Sequence, residues 1–260
     1  MSTLTVSAST PAGEQPQQTA QEMEAQNIEA QTRLGAYTAL GGSACFIIGA
    51  ALWIASGVDI DQALANDDMA GYLVAAGGVT PLLVANLCFW IVGALLLGVA
   101  ATAMTSLCIR RPATAQMALV SYQIGVPLVI VAYLTWLALH LQIVPDTTPA
   151  AVLLAETLGW FGSQADWLAT ILMIGLGPAL ISLAGRGDWV TPWLARWGIA
   201  TAITGLLTAI AMFTPSGVTT YGFLTVPVGL IWMIWAGIVL LRQSSQSTVD
   251  LPNLAREAVS

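Results

Sequence analysis

Six long apolar runs leave this chain few folds to choose from. They extend over about Gly35 to Gly57, Val79 to Leu107, Ala115 to Leu141, Gly162 to Leu183, Leu194 to Phe213 and Phe223 to Leu241. A helix crossing a hydrocarbon core about 30 Å thick needs about 20 apolar residues. Barrel strands are about half that length and alternate in polarity, whereas these runs are continuous. The pattern predicts an all-α polytopic membrane protein, a bundle of six transmembrane helices. Composition agrees, since 57% of the residues are hydrophobic and only 8% charged, against about a quarter charged in soluble domains.

Orientation follows from the arginines, because basic residues flanking short loops stay cytoplasmic. Lysine is absent, and the seven basic residues are Arg33, Arg110, Arg111, Arg186, Arg196, Arg242 and Arg256. With the amino terminus inside, all seven fall on one side. The opposite loops carry Asp59, Asp61, Asp67, Asp68, Asp146 and Glu156, with no basic residue besides histidine. This predicts a multi-pass protein of the cell membrane, N-in/C-in, with both termini cytoplasmic and the lipid bilayer as its first partner. A homo-oligomer or a membrane partner stays open. The net charge of −7 excludes nucleic acid, which needs a basic face, and a polybasic lipid-binding patch.

Three parts are expected: a disordered polar cytoplasmic tail over 1–34, the six-helix domain over 35–242, and a polar cytoplasmic tail over 243–260. Within the first tail Gln17 to Arg33 can form a polar helix, and the basic start and apolar core of a secretory signal are missing. The loops Val58 to Gly78 and Gln142 to Phe161 read as short helices at the outer interface. Trp189, Trp193 and Trp197 read as headgroup anchors. Gly41, Cys45 and Gly49 give the first helix a small face for close contact. Cys45, Cys88 and Cys108 have no metal or redox spacing and read as packing residues. Pro127, Pro178 and Pro227 read as kinks that membrane helices tolerate, with interruption at a transporter site as the sharper alternative.

An ionisable group within hydrocarbon marks a candidate site. Asp166, about one turn inside the outer end of the fourth helix, is the first such group. His140 at the outer end of the third helix, Asn86 in the second and Gln164 beside Asp166 share its depth, so all four can line one outward-facing cavity. An Asp166–His140 pair would keep the carboxylate charged; alternatively both groups snorkel to headgroups and water. Tyr122, Val129, Tyr133, Trp136 and His140 recur at helical spacing on one face, either lining a ligand groove or packing against a neighbour. Gln123 is expected to hydrogen-bond to another helix.

Several chemistries are unsupported. One histidine cannot supply bis-histidine haem ligation or a three-histidine metal site. HExxH, phosphate-loop and GxSxG motifs are missing, and without lysine there is no Schiff-base retinal. The acidic pairs Asp59/Asp61 and Asp67-Asp68 lack calcium-loop spacing and read as a solvated rim. No catalytic residue, metal or cofactor is assigned.

Arg33-Leu-Gly-Ala-Tyr37, opening the first helix, and Thr191-Pro-Trp-Leu-Ala-Arg-Trp-Gly198, opening the fifth, resemble a family of uncharacterised bacterial six-helix membrane proteins, a domain-of-unknown-function family. The resemblance covers about Arg33 to Leu241, including the longer polar loop after the first helix, and implies the fold but no activity. Three functions follow as expectations. The first is a non-enzymatic helical membrane protein acting through packing with itself or partners. The second is a small-molecule or ion permease using the outward-facing polar cavity, and the third a membrane enzyme on a lipid-soluble substrate.

Overall fold

Proline and capping side chains start most of the helices. In the computed structural model, which describes residues 15–212 and 215–257 and side chains within 23–212 and 224–245, helix α1 covers Gln15–Ser56. A short α2 (Ile60–Ala65) is capped by Asp59, whose carboxylate accepts from the backbone N–H of Asp61 and Gln62. Asp68 caps α3 (Met69–Ser106) through Gly71 N–H. Pro112 opens α4 (Pro112–Gln142), and Thr148 with Pro149 opens α5 (Pro149–Thr170). Prolines suit these first-turn positions because the missing N–H has no intrahelical partner there. After α5 come a π-helical segment (Ile171–Leu176) and α6 (Gly177–Ala184). Thr191 caps α7 (Pro192–Ala211), and α8 covers Pro215–Glu257.

Six helical stretches are long and apolar enough to cross a membrane, and α5, the π-helical segment and α6 together form the fourth, Pro149–Ala184. No β-strand occurs among the described residues. Neighbours in sequence are neighbours in space: α1 packs on α3, α3 on α4, α4 on the fourth span, that span on α7, and α7 on α8, while α8 closes the ring against α1. Of the six, the fourth span is the most buried.

The connections differ from the sequence reading in informative ways. Residues 15–34 and 243–257 are helical continuations of α1 and α8, and the described tail residues include points of docking. Gln31 Oε1 accepts from Ser106 Oγ, and Gln243 Nε2 donates to the Trp189 carbonyl. Gln142 to Phe161 is mostly the first three turns of α5 rather than a separate interfacial helix. The other loop does hold the short helix α2, but Ile60 and Ala63 bury it against the bundle. Of the three anchoring tryptophans, Trp193 is exposed and Trp189 is buried. Gln123 is exposed, not bonded across the bundle.

Close backbone approach sets the positions of two helix pairs. Gly42 and Gly93 bring α1 onto α3: a Cβ on Gly93 would lie 2.8 Å from the Phe46 ring and 3.1 Å from the Gly42 carbonyl. The seam therefore runs through Gly42 and Gly49, with Gly41 and Cys45 beside it. Gly175 meets Gly205 of α7 so closely that a Cβ on either would lie 2.8 Å from the other's Cα.

The π-helical segment has a local cause. Pro178 has no N–H to give the carbonyls of the preceding turn, and Gly177 N–H reaches back five residues to Leu172. Such bulges concentrate at functional sites. Gly229 of α8 packs directly on the Ile174 carbonyl, which a Cβ there would approach to 2.6 Å. Free Cys108 is buried, and its burial pushes the thiol up to about 11, as befits a packing group; Cys88 is exposed instead.

The arginines gather at the end of the bundle opposite Asp59, Asp61, Asp67 and Asp68. Arg110 pairs with Asp188 at 3.3 Å, and Arg111 donates to the Leu183 carbonyl, tying the α3–α4 and α6–α7 connections together. The end carrying Asp59, Asp61, Asp67 and Asp68 is the one that α2 covers.

Candidate ligand cavity

A cavity of about 500 Å³ lies inside the bundle near its aspartate-rich end, walled by α1, α3, α4, the fourth span and α8 and roofed by residues 58–61. Ligand sites typically have this size. The spacing of Val129, Tyr133, Trp136 and His140 at three- and four-residue steps carries α4 along one wall. Tyr133 stands between Trp90 and Trp136, with ring centroids 5.3 and 5.7 Å away. These three rings make a continuous aromatic surface. Trp136 lies over Gly162 of α5, where any side chain would displace it.

His140 does not pair with Asp166. Its Nδ1 lies 2.6 Å from the Trp136 carbonyl, which can only accept, so Nδ1 carries the proton. Nε2 shares a hydrogen bond of 2.7 Å with the Tyr72 hydroxyl, which can donate to it or accept from it. A neutral ring satisfies both contacts. His140 is 5% exposed, so it does not snorkel to headgroups either. The reason is the packing of α3 on α4, which makes Tyr72 of α3 the nearer partner.

Asp166 lies inside the protein and faces the cavity. The Tyr133 hydroxyl is within hydrogen-bonding reach of its carboxylate, while Oδ1 is buried without a partner. Its electrostatic neighbour is a second carboxylate, Asp61. Asp61 projects from the first turn of α2 onto α5, where Ser163 Oγ donates to Oδ1 at 2.5 Å and Trp167 Nε1 to Oδ2 at 3.1 Å. Burial pushes the Asp61 carboxyl up to about 6; the Ser163 bond opposes that, nearby Asp59 adds to it, and Trp167 opposes it. Asp59 is raised as well, again chiefly by burial. No arginine lines the cavity.

Asn86 borders the cavity and is 2% exposed, its Nδ2 donating to the Gly49 carbonyl at 2.9 Å. That bond ties α3 to α1 and makes Asn86 a wall residue with one of its two amide N–H groups engaged. Of the residues singled out in the sequence, Asp166, His140, Asn86, Trp136 and Tyr133 meet at the cavity, and Gln164 does not. Two residues along a helix is about 200°, so Gln164 and Asp166 point to different sides. Tyr122 sits deeper, against Gly177 and Met233. The sequence reading missed Asp61, Asp59, Tyr72, Trp90 and Trp167. One signal was available for Asp61, which shares the apolar face of α2 with Leu64 three residues on.

Two half-buried carboxylates beside an aromatic wall can hold positive charge or protons. Among the described residues no group of three histidine, cysteine or carboxylate side chains is placed to hold a metal ion. Comparison of the chain with protein-family models, curated proteins and solved structures finds no match.

Proposed function

We propose that this is a multi-pass protein of the cell membrane with both termini cytoplasmic, working as a small-molecule permease that binds its substrate in this cavity. The observation that carries the reading is Asp166, which faces the interior of the bundle and not the headgroups. An ionisable side chain held there is costly and marks a pathway or site in membrane proteins. A cavity of about 500 Å³ bordered by polar side chains and an aromatic wall suits a ligand better than helix packing alone. The π-helical segment supports the same reading, because its Met173 and Ile174 border the cavity just beyond Asp166.

The topology is open to direct test. Reporter fusions at Ala113 and Ser245 are expected to read cytoplasmic and a fusion at Asp67 external; a cytoplasmic signal at Asp67 contradicts the orientation. Transport is tested with proteoliposomes offered phenyltrimethylammonium, benzenesulfonate and phenylalanine, none of which crosses lipid quickly. At least one should enter faster than into protein-free vesicles. Ala50→Phe, which fills the α1 side of the cavity, should return that flux to the protein-free level. Equal entry with and without protein for all three compounds contradicts the permease reading.

A further inference from the structure

Deepening the permease reading, on which it rests, we propose that the cavity takes an organic cation. An ammonium or quaternary ammonium head sits between Asp61 and Asp166, and its apolar body lies against Trp90, Tyr133 and Trp136. Three independent observations converge on that chemistry.

The first is charge without a counter-charge. Two carboxylates border one cavity, and no arginine lines it, while the chain contains no lysine at all. His140 pairs with neither carboxylate, because its two ring nitrogens are engaged by the carbonyl of Trp136 and the hydroxyl of Tyr72. The second observation is the Asp166 Oδ1 atom, buried and without a partner in a residue that borders the cavity. Tyr133 is the donor the chain offers this carboxylate, and Oδ1 keeps acceptor capacity for a donor or positive charge brought by a ligand. An acceptor left unmatched inside a protein costs about 1–3 kcal/mol, more when charged.

The third observation is the wall. Trp90, Tyr133 and Trp136 form a run of rings, and the remaining lining is mainly aliphatic. A small hydrated metal ion gains little from such a surface, and the ligand number it needs is missing among the described residues. An organic cation gains twice, through cation–π attraction to the ring faces and through burial of its carbon skeleton.

The test compares two molecules of one shape. Phenyltrimethylammonium and tert-butylbenzene differ in a nitrogen for a carbon and therefore in charge alone. Binding of each to the purified full chain in nanodiscs is followed by tryptophan fluorescence and by equilibrium dialysis. The cation is expected to bind about tenfold or more tighter than the hydrocarbon. Asp166→Asn and Asp61→Asn should each remove that preference while tert-butylbenzene binds as before, which also shows that the variants retain the cavity. Equal affinity for the two compounds, or a preference untouched by both substitutions, overturns the cation assignment and leaves the small-molecule reading standing. No saturable binding of either compound overturns both.

Discussion

Replacing Asp61 with asparagine should make the empty protein more stable at pH 7.5, by up to about 3 kcal/mol. The carboxyl ionises at 3.8 in an ordinary setting and at about 6 in the folded chain. Below pH 4 it is protonated in folded and unfolded chains alike and contributes no pH dependence. Between pH 4 and 6 the folded chain keeps a proton that the unfolded chain has released, so stability falls as pH rises. Above 6 the folded carboxylate is ionised against its burial, and the whole penalty is present. Asparagine lacks this titration and still fits its partners, accepting from Trp167 Nε1 and donating to Ser163 Oγ. In detergent the variant's melting temperature should exceed the native protein's at pH 7.5, with the gap closing as pH falls to 4. A variant less stable than the native chain at pH 7.5, or a gap that does not narrow on acidification, would refute the account. A group that lowers stability when the site is empty is common where binding depends on it.

Trp232→Ala should have the largest structural effect, about 3–5 kcal/mol of destabilisation. Trp232 is fully buried and joins three helices: its Nε1 donates to Ser182 Oγ of α6 at 2.8 Å and to the Leu194 carbonyl of α7 at 3.2 Å. Lipid tails are as apolar as the side chain, so packing and hydrogen bonds, not exclusion from water, hold such a junction. Truncation removes both. Trp232→Phe keeps most of the packing and should cost about 1–2 kcal/mol, the worth of the lost hydrogen bonds. Leu230, which borders the cavity, lies half a turn before Trp232, so the alanine variant should also weaken binding there. The fraction of protein surviving a temperature ramp in detergent, with size-exclusion readout, ranks the variants. Equal melting of the alanine and phenylalanine variants would show that packing at this junction contributes little.

Comparing sequence with structure, agreement is closest where one segment decides by itself. Each helix that can cross a membrane overlaps an apolar run in the sequence, and the differences fall at the ends. Met69 to Gly78 was read as loop, yet it is the first two to three turns of α3, because Asp68 caps a helix there. The face of α4 carrying Val129, Tyr133, Trp136 and His140 was also legible, since a 3.6-residue repeat fixes which side chains share a side. Depth along the helix suggested Asp166, His140 and Asn86 as a group, and the cavity brings them to one place.

Their partners were another matter. Depth alone allows Asp166 either to pair with His140 or, like it, to reach headgroups. Instead α3 packing on α4 gives His140 to Tyr72, and α2 lying on the fourth span sets Asp61 beside Asp166. Ser163 and Asp61 bond across 102 positions of sequence, a separation at which no local pattern carries information. The sequence by itself determined which segments are long and apolar enough to cross a membrane, where the arginines gather and which face of α4 is aromatic, because a bilayer and a helix impose their requirements on each segment separately. Only the tertiary structure decided that a loop aspartate enters the bundle, that a histidine bonds to Tyr72 and that two carboxylates share one cavity. Those outcomes depend on how helices pack, through contacts such as Gly42 with Gly93 and Gly175 with Gly205, and on where α2 docks, through Ile60 against Gly159, all between segments far apart in the chain.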